Sequence, residues 1–225
     1  MNKRYSTPPP FLFCFRLFVL TFILTILSSS AYANVKALSF YVGAKLGYSH
    51  YLPSSFRSNQ PGTQDLPIDG SDSALLGVTG GIAYKFIPQL GIRTELEYAY
   101  RTPSTKVTVG NGSSTDKFQV QTHTILTNVY LDYYVLPALN LYISTGIGVS
   151  MMDGKIVSPG EPDISAGRTR FAAQGGIGAA YTFSNNLVLD INIRYAHFGQ
   201  YRVRADSDRA TMSGVETIVG LAYKF

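Results

Sequence analysis

Residues 213–225, with the sequence SGVETIVGLAYKF, alternate between two kinds of side chain. One parity is mainly apolar or aromatic and consists of Val215, Thr217, Val219, Leu221, Tyr223 and Phe225. The other parity is mainly small or polar and includes Gly214, Glu216, Gly220, Ala222 and Lys224. A period of two residues is that of a β-strand with one apolar and one polar face. The segment therefore predicts a strand that needs an apolar environment on one side.

The N-terminal segment has the three parts of a secretory signal peptide. Lys3 and Arg4 lie in a short polar lead, and an apolar run follows at residues 11–27. Ala31-Tyr32-Ala33 then supplies the small-x-small pattern that signal peptidase recognises. We predict that residues 1–33 are a cleaved signal peptide.

A retained transmembrane anchor is the alternative to cleavage. A helix that spans the bilayer needs about 20 apolar residues, whereas the charge-free stretch after Arg16, residues 17–30, is shorter and partly serine. Cleavage would remove Lys3, Arg4 and Arg16 and lower the formal net charge from +5 to +2. The remaining domain, residues 34–225, is therefore not expected to bind nucleic acid.

The same alternation recurs along the chain and predicts eight strands. They cover about residues 38–50, 74–86, 90–101, 118–134, 139–151, 169–183, 187–198 and 213–225. Three of the connections are tight, at residues 87–89, 135–138 and 184–186. Four are long and polar, at residues 51–73, 102–117, 152–168 and 199–212. This predicts an all-β, eight-stranded antiparallel up-and-down transmembrane β-barrel with short periplasmic turns and long extracellular loops.

Aromatic residues on the apolar parity gather at both ends of the predicted strands. Those beside the short turns are Tyr84, Phe86, Tyr133, Tyr181, Phe183, Tyr223 and Phe225. Those at the other end are Tyr48, Tyr98, Tyr100, Phe171 and Tyr195. Two such girdles are expected where a barrel crosses the two interfaces of a membrane. A soluble barrel or sandwich is the alternative, but it would turn its apolar parity inward.

Several segments have the strand and turn pattern of one known family. They are FYVGAKLGY (40–48), TNVYLDYYV (127–135), LYISTGIGV (141–149), GGIGAAYTFSNNLVLDINIRYAHFG (175–199) and VGLAYKF (219–225). With these segments the chain resembles the eight-stranded outer-membrane family that includes the OmpA transmembrane domain, OmpX, the Ail and opacity proteins and related small adhesins. The resemblance implies a bacterial outer-membrane protein whose surface loops act in adhesion or host interaction.

The polar parity carries as many positive as negative charges. Its charged members are Lys45, Lys85, Arg93, Glu95, Glu97, Asp132, Asp190, Arg194, Glu216 and Lys224. Eight strands enclose a space only just wide enough for side chains to fill. We therefore predict a lumen ion-pair network of Lys45, Arg93, Glu95, Glu97, Asp190, Arg194 and Glu216. Such a network would plug the lumen, and a narrow conducting pore is the alternative.

The histidines are the residues that most favour an enzymatic or metal-binding interpretation. His50, His123 and His197 lie on the outward parity of strands expected to be well separated, so a shared metal site is not expected. In lipid A deacylases of the eight-stranded type a serine follows the histidine by two residues, and here that position is Gly199. We predict no catalytic residue, no metal and no cofactor, with a lipid A-modifying enzyme as the alternative.

Function is then expected in the long loops, which a rigid scaffold presents. The candidate binding residues of the fourth loop are Tyr201, Arg202, Arg204 and Arg209, and Arg101, Lys106 and Lys117 flank or lie in the second. Cationic loops suit sulfated glycans, lipopolysaccharide phosphates and acidic matrix proteins. The expected partners are outer-membrane lipid, lipopolysaccharide and a host-cell glycan or matrix protein. A structural, membrane-stabilising role is the alternative.

Overall fold

The computed structural model describes residues 38–52, 54–56, 66–68, 70–107, 117–157, 164–183, 186–202 and 209–225. They form ten strands: β1 (Leu38–Tyr51), β2 (Ser54–Phe56), β3 (Leu66–Ile68), β4 (Ser71–Ile87), β5 (Leu90–Val107), β6 (Lys117–Leu136), β7 (Leu139–Val157), β8 (Ile164–Thr182), β9 (Leu187–Arg202) and β10 (Arg209–Lys224). The predicted signal peptide lies outside the described residues. Among the described residues there is no helix long and apolar enough to cross a membrane.

Eight of the strands close into an antiparallel barrel with the order β1-β10-β9-β8-β7-β6-β5-β4. Strands that follow one another in the chain are neighbours, and β10 pairs with β1. This confirms the predicted up-and-down barrel. Strands β2 and β3 form a separate small hairpin inside the first long connection, and this hairpin was not predicted from the sequence. We call the two ends of the barrel the turn end and the loop end, after the short and long connections that leave them.

At the loop end most barrel strands run further than predicted. Strand β5 continues to Val107 where the prediction ended at residue 101, and β7 continues to Val157 where it ended at residue 151. The hydrogen-bond ladders simply extend, as from Ser104↔Val120 to Val107↔Lys117. Backbone pairing does not require the alternation of apolar residues that marks the lipid-facing part of a strand, so the sequence pattern fades before the strand ends.

Side-chain exposure alternates along the barrel strands and is inverted relative to a soluble protein. On β1, Leu46 is 61% exposed while its neighbour Lys45 is only 7% exposed. Charged residues such as Glu97 and Arg194 are buried inside, whereas Ile147 and Ile177 lie exposed on the outer face. An apolar outer face of this kind is stable only against hydrocarbon. The closed barrel is also suited to hydrocarbon because it leaves no backbone groups unpaired at a sheet edge.

The turn end carries an aromatic girdle built from a repeated pair. Tyr84–Phe86, Tyr181–Phe183 and Tyr223–Phe225 each bring two rings edge to face, with centroids 5.1, 4.9 and 5.2 Å apart. All six rings are exposed on the outer face. Their position matches the interface between hydrocarbon and water.

Strand β9 contains a bulge at the loop end. The β9–β10 register passes from Ser213↔His197 to Met212↔Gly199, so β9 has one extra residue, Phe198. Gly199 has a positive φ of 90°, a backbone conformation that glycine adopts without steric cost. The β8–β9 ladder ends just below this bulge, at Ala173↔His197.

Candidate functional site

Three acids and three bases form one alternating chain of ion pairs inside the barrel. In order, the chain runs Glu95, Lys45, Glu97, Arg194, Glu216 and Arg101, with successive N–O distances of 2.5, 2.6, 2.8, 2.7 and 2.6 Å. All six side chains are buried. The formal charges cancel, which a buried group of ions requires because each unpaired charge would be costly.

The ion-pair chain joins opposite walls of the barrel. Lys45 of β1 reaches Glu95 and Glu97 of β5 across the width of β4. Arg194 of β9 makes two parallel hydrogen bonds to Glu97, of 2.8 and 3.0 Å, and also donates to Glu216 of β10. Bidentate contacts of this kind fix geometry as well as charge. The lumen is therefore crossed by bonded side chains at this level.

A second charged group lies on the turn-end side of this chain. Arg93 donates to Asp132 at 2.8 Å and lies 3.7 Å from Asp190. Its guanidinium is held between the rings of Tyr130 and Tyr142, 4.5 and 4.7 Å from their centroids. Arg93 and Asp190, which were predicted to join the lumen network, thus lie in this group, and the other five predicted residues lie in the chain.

Arg101 corrects the prediction that it flanks the second loop. It is fully buried, and its Nε donates to Glu216 at 2.6 Å. Its Nη1 donates to Thr124 at 3.0 Å, and its guanidinium lies 4.6 Å from the centre of the Phe198 ring. The physical reason is that β5 continues past residue 101, so Arg101 lies on the same inward parity as Glu95 and Glu97.

An apolar layer closes the lumen at the loop end. It is a buried cluster of Tyr51, Val120, Met152, Ala196, Phe198 and Met212. These residues were not among the predicted lumen residues, although apolar side chains on an otherwise polar parity were a signal that could have identified them. With the Arg93 group and the ion-pair chain, this layer places buried side chains at three levels of the described part of the lumen.

The candidate binding residues of the fourth loop lie mainly in strands. Arg202 of β9 and Arg209 of β10 are direct antiparallel partners, and Tyr201 pairs with Ala210. Their predicted place in a loop was wrong because the β9–β10 ladder continues beyond the bulge. Arg204 lies outside the described residues. Lys106 and Lys117 likewise lie in strands, near the loop ends of β5 and β6.

The three histidines have separate surroundings at the loop end. His50 Nδ1 lies 2.6 Å from Asp72 Oδ1, and His123 Nδ1 lies 2.8 Å from the hydroxyl of Tyr98. The strands of His50 and His197 are separated only by β10, which is closer than expected. In the part of the chain that the structure describes, no three His, Cys, Asp or Glu side chains are grouped to hold a metal ion.

Known proteins share this architecture. Residues 19–225 match the family model described as outer membrane protein beta-barrel domain. The chain is 26% identical over 238 aligned residues to the outer membrane protein PagN of Salmonella typhimurium strain LT2, an alignment that covers 92% of this chain and 98% of that protein.

Two solved structures have a similar fold. Neisserial surface protein A superposes with a TM-score of 0.52 at 16% identity, over 84% of this chain and 100% of that one. A major outer membrane protein from Thermus thermophilus gives a TM-score of 0.52 at 14% identity, with the same coverage. With the family match, the closed barrel and the lipid-facing outer surface, the chain belongs to the outer membrane protein β-barrel domain family and is a protein of the bacterial outer membrane.

Proposed function

We propose that this barrel is a closed, non-enzymatic scaffold that presents its loop end at the cell surface to bind anionic polymers. Sulfated host-cell glycans and acidic matrix proteins are the anionic polymers that we expect the loop end to bind. The ion pairs that cross the lumen support a scaffold over the alternative of a narrow pore. Glycine at position 199, two residues after His197, is the feature that argues against a lipid A-modifying enzyme.

One observation of register carries the binding proposal. Arg202 and Arg209 are directly opposite each other on β9 and β10. Residues opposed in this way have Cβ atoms about 5 Å apart, and like charges there destabilise the pair of strands. A sulfate or carboxylate group bound by both arginines would remove this repulsion and add charge-assisted hydrogen bonds.

Two acids in the same segment lower its net charge, so binding is proposed to depend on the positions of the arginines more than on the total charge. Asp206 and Asp208 follow Arg204 in the connection between the two strands. They leave the segment from Arg202 to Arg209 with little net positive charge. Recognition is therefore proposed to depend on the paired arginines, with Arg204 as a third donor, and not on a diffuse positive potential.

The test compares two double variants that remove equal charge from the loop end. Arg202→Ser with Arg209→Ser is expected to weaken attachment to immobilised heparin or to host cells by about tenfold, the equivalent of one charged hydrogen bond. Lys106→Ser with Lys117→Ser removes two charges that are not opposite each other. This control should attach nearly as well as the wild type.

Two further measurements, a salt series and the amount of each variant at the cell surface, are part of the same test. Attachment of the wild type should weaken as salt rises, because exposed charges are screened over about 8 Å at physiological ionic strength. Surface amounts of each variant are measured by whole-cell antibody binding. Equal losses in the two double variants would assign attachment to net charge alone, and unchanged attachment in the arginine variant at every salt concentration would refute the proposal.

We further infer that the protein is exported through a cleaved signal peptide, residues 1–33. The apolar run and the Ala31-Tyr32-Ala33 pattern support this inference. The intact mass of the protein purified from outer membranes should correspond to a chain that begins at Asn34. A mass that includes residues 1–33 would contradict cleavage.

A further inference from the structure

A cleft of about 480 Å³ opens at the loop end between β8 and β9. It is lined by Arg170 and Phe171 of β8 and by His197, Gly199 and Gln200 of β9. The fold explains its position, because the β8–β9 ladder ends at His197 and the bulge at Gly199 follows immediately. The cleft is thus a consequence of the backbone conformation and not only of side-chain rotamers.

The cleft has the chemistry of an anion site. Arg170 donates from Nε to the Gln200 carbonyl oxygen at 2.9 Å and from Nη1 to the Thr169 carbonyl oxygen at 3.4 Å. These bonds orient the guanidinium and use two of its five N–H donors, so donors are left for a ligand. His197 offers a further ring nitrogen, and no carboxylate is among the described residues that line the cleft. A phosphate group suits such a donor set.

Below the cleft the outer wall is apolar and faces lipid. On β9 the outward residues under His197 are Tyr195, Ile193 and Ile191, all of them exposed. On β8 the outward residue that lines the cleft is Phe171, which is 63% exposed. An anionic group in this cleft would therefore lie where the hydrocarbon of the outer leaflet meets its head groups.

Small outward residues on β8 leave room for a shallow groove that would continue from the cleft down this wall. On β8 the outward positions between the bulky Phe171 and Ile177 are the small residues Ala173 and Gly175. Gly175 pairs with Tyr195 of β9, which forms one side of the groove. A Cβ atom added to Gly175 would meet only the Ser144 carbonyl oxygen, at 3.8 Å, so the floor is open. A groove of this shape on a lipid-facing surface suits an acyl chain.

We propose that the cleft and groove together bind one phosphorylated glycolipid of the outer leaflet. Arg170 and His197 bind a head-group phosphate, and an acyl chain of the same molecule packs over Ala173 and Gly175. The site involves neither Arg202 nor Arg209, so it is independent of the adhesive function proposed above.

The test uses purified, refolded protein in detergent micelles and three probes: bis-phosphorylated lipid A, dephosphorylated lipid A and inorganic phosphate. Binding of each probe is counted by native mass spectrometry. The wild type should retain bis-phosphorylated lipid A and should retain the dephosphorylated lipid about tenfold less well. Arg170→Gln should lower retention of the phosphorylated lipid to the same extent.

Matched variants separate the parts of the site. Arg168→Gln removes an exposed arginine two residues earlier on the same strand, outside the cleft, and should leave retention unchanged. Gly175→Leu fills the groove and should lower lipid A retention while Arg170 is intact. Each variant is first checked for a folded barrel by its shift in electrophoresis without heating.

Three results would overturn the proposal. Equal losses in Arg168→Gln and Arg170→Gln would mean unspecific attraction of charge. Equal retention of the phosphorylated and dephosphorylated lipids would exclude a phosphate site. Retention of inorganic phosphate as strong as that of lipid A, together with no effect of Gly175→Leu, would assign the cleft to a free anion and not to a lipid.

Discussion

Glu97 accepts hydrogen bonds from two cationic side chains and one amide inside the barrel. Lys45 donates to it at 2.6 Å, Arg194 donates twice, and Asn128 donates at 3.3 Å. The residue has no exposed surface. Because Lys45 and Arg194 both pair with it, loss of the Glu97 charge leaves two buried cations incompletely paired.

We expect Glu97→Gln to lower the free energy of unfolding by about 3 kcal/mol, because it leaves Lys45 and Arg194 incompletely paired in a buried space. Glutamine keeps nearly the same volume, so packing changes little. Urea unfolding in detergent or lipid vesicles, followed by electrophoretic mobility, measures the effect. The exposed Arg168→Gln is the control. A wild-type midpoint for Glu97→Gln would mean that the ion-pair chain does not stabilise the barrel.

Residue parity predicted which side chains face inward but not which of them form ion pairs with one another. The inward face of β5 followed from alternation alone, as Arg93, Glu95 and Glu97 show. The pairing of Arg101 with Glu216 did not follow, because it depends on strand tilt and stagger around a closed ring. The bulge at Gly199 was missed for a similar reason, since one extra residue changes parity without a distinct sequence signal.

At the scale of the strands, the turn end was predictable and the loop end was not. Strands β5, β7 and β9 begin at residues 90, 139 and 187, as the alternation predicted. At the other end the ladders extend by up to six residues, as in β5 and β7. Lipid imposes alternation only within the membrane, whereas a ladder outside it tolerates polar residues on both faces.

The assignment of the two ends can be tested with single cysteines, because the one cysteine of the chain, Cys14, lies in the predicted signal peptide. Pro103→Cys at the loop end should react with a membrane-impermeant maleimide on intact cells. Gln89→Cys, in an exposed turn at the other end, should react only after the outer membrane is permeabilised. The opposite pattern would reverse the orientation of the barrel.

At the scale of the whole molecule, the described part of the lumen contains three successive layers of buried side chains. The Arg93 group lies towards the turn end, the ion-pair chain lies next to it, and the apolar layer of Phe198 and Met212 lies at the loop end. Their chemistry differs, but each occupies the narrow space inside eight strands. A continuous column of water is therefore not expected through this barrel.

We expect the wild type to show no stable conductance steps in planar bilayers. Phe198→Ala with Met212→Ala, which thins the apolar layer, should also remain silent because the ion-pair chain still crosses the lumen. A porin reconstituted in parallel confirms that insertion is detected. Discrete steps from the wild-type protein would contradict a closed lumen and favour the narrow-pore alternative.

The ion pairs across the lumen also limit the order in which this protein can assemble. Arg101 and Glu216 are 115 residues apart in sequence, and Glu97 and Arg194 are 97 apart. Strands β1 to β5 therefore bring two charges, Arg101 and Glu97, that gain Glu216 and Arg194 as partners only with the last two strands. An open sheet in hydrocarbon would leave Arg101 without its carboxylate partner and Glu97 with Lys45 alone, at a high cost in free energy. Insertion and closure are thus coupled into one cooperative step, in which the final hairpin supplies the partners that the first strands lack.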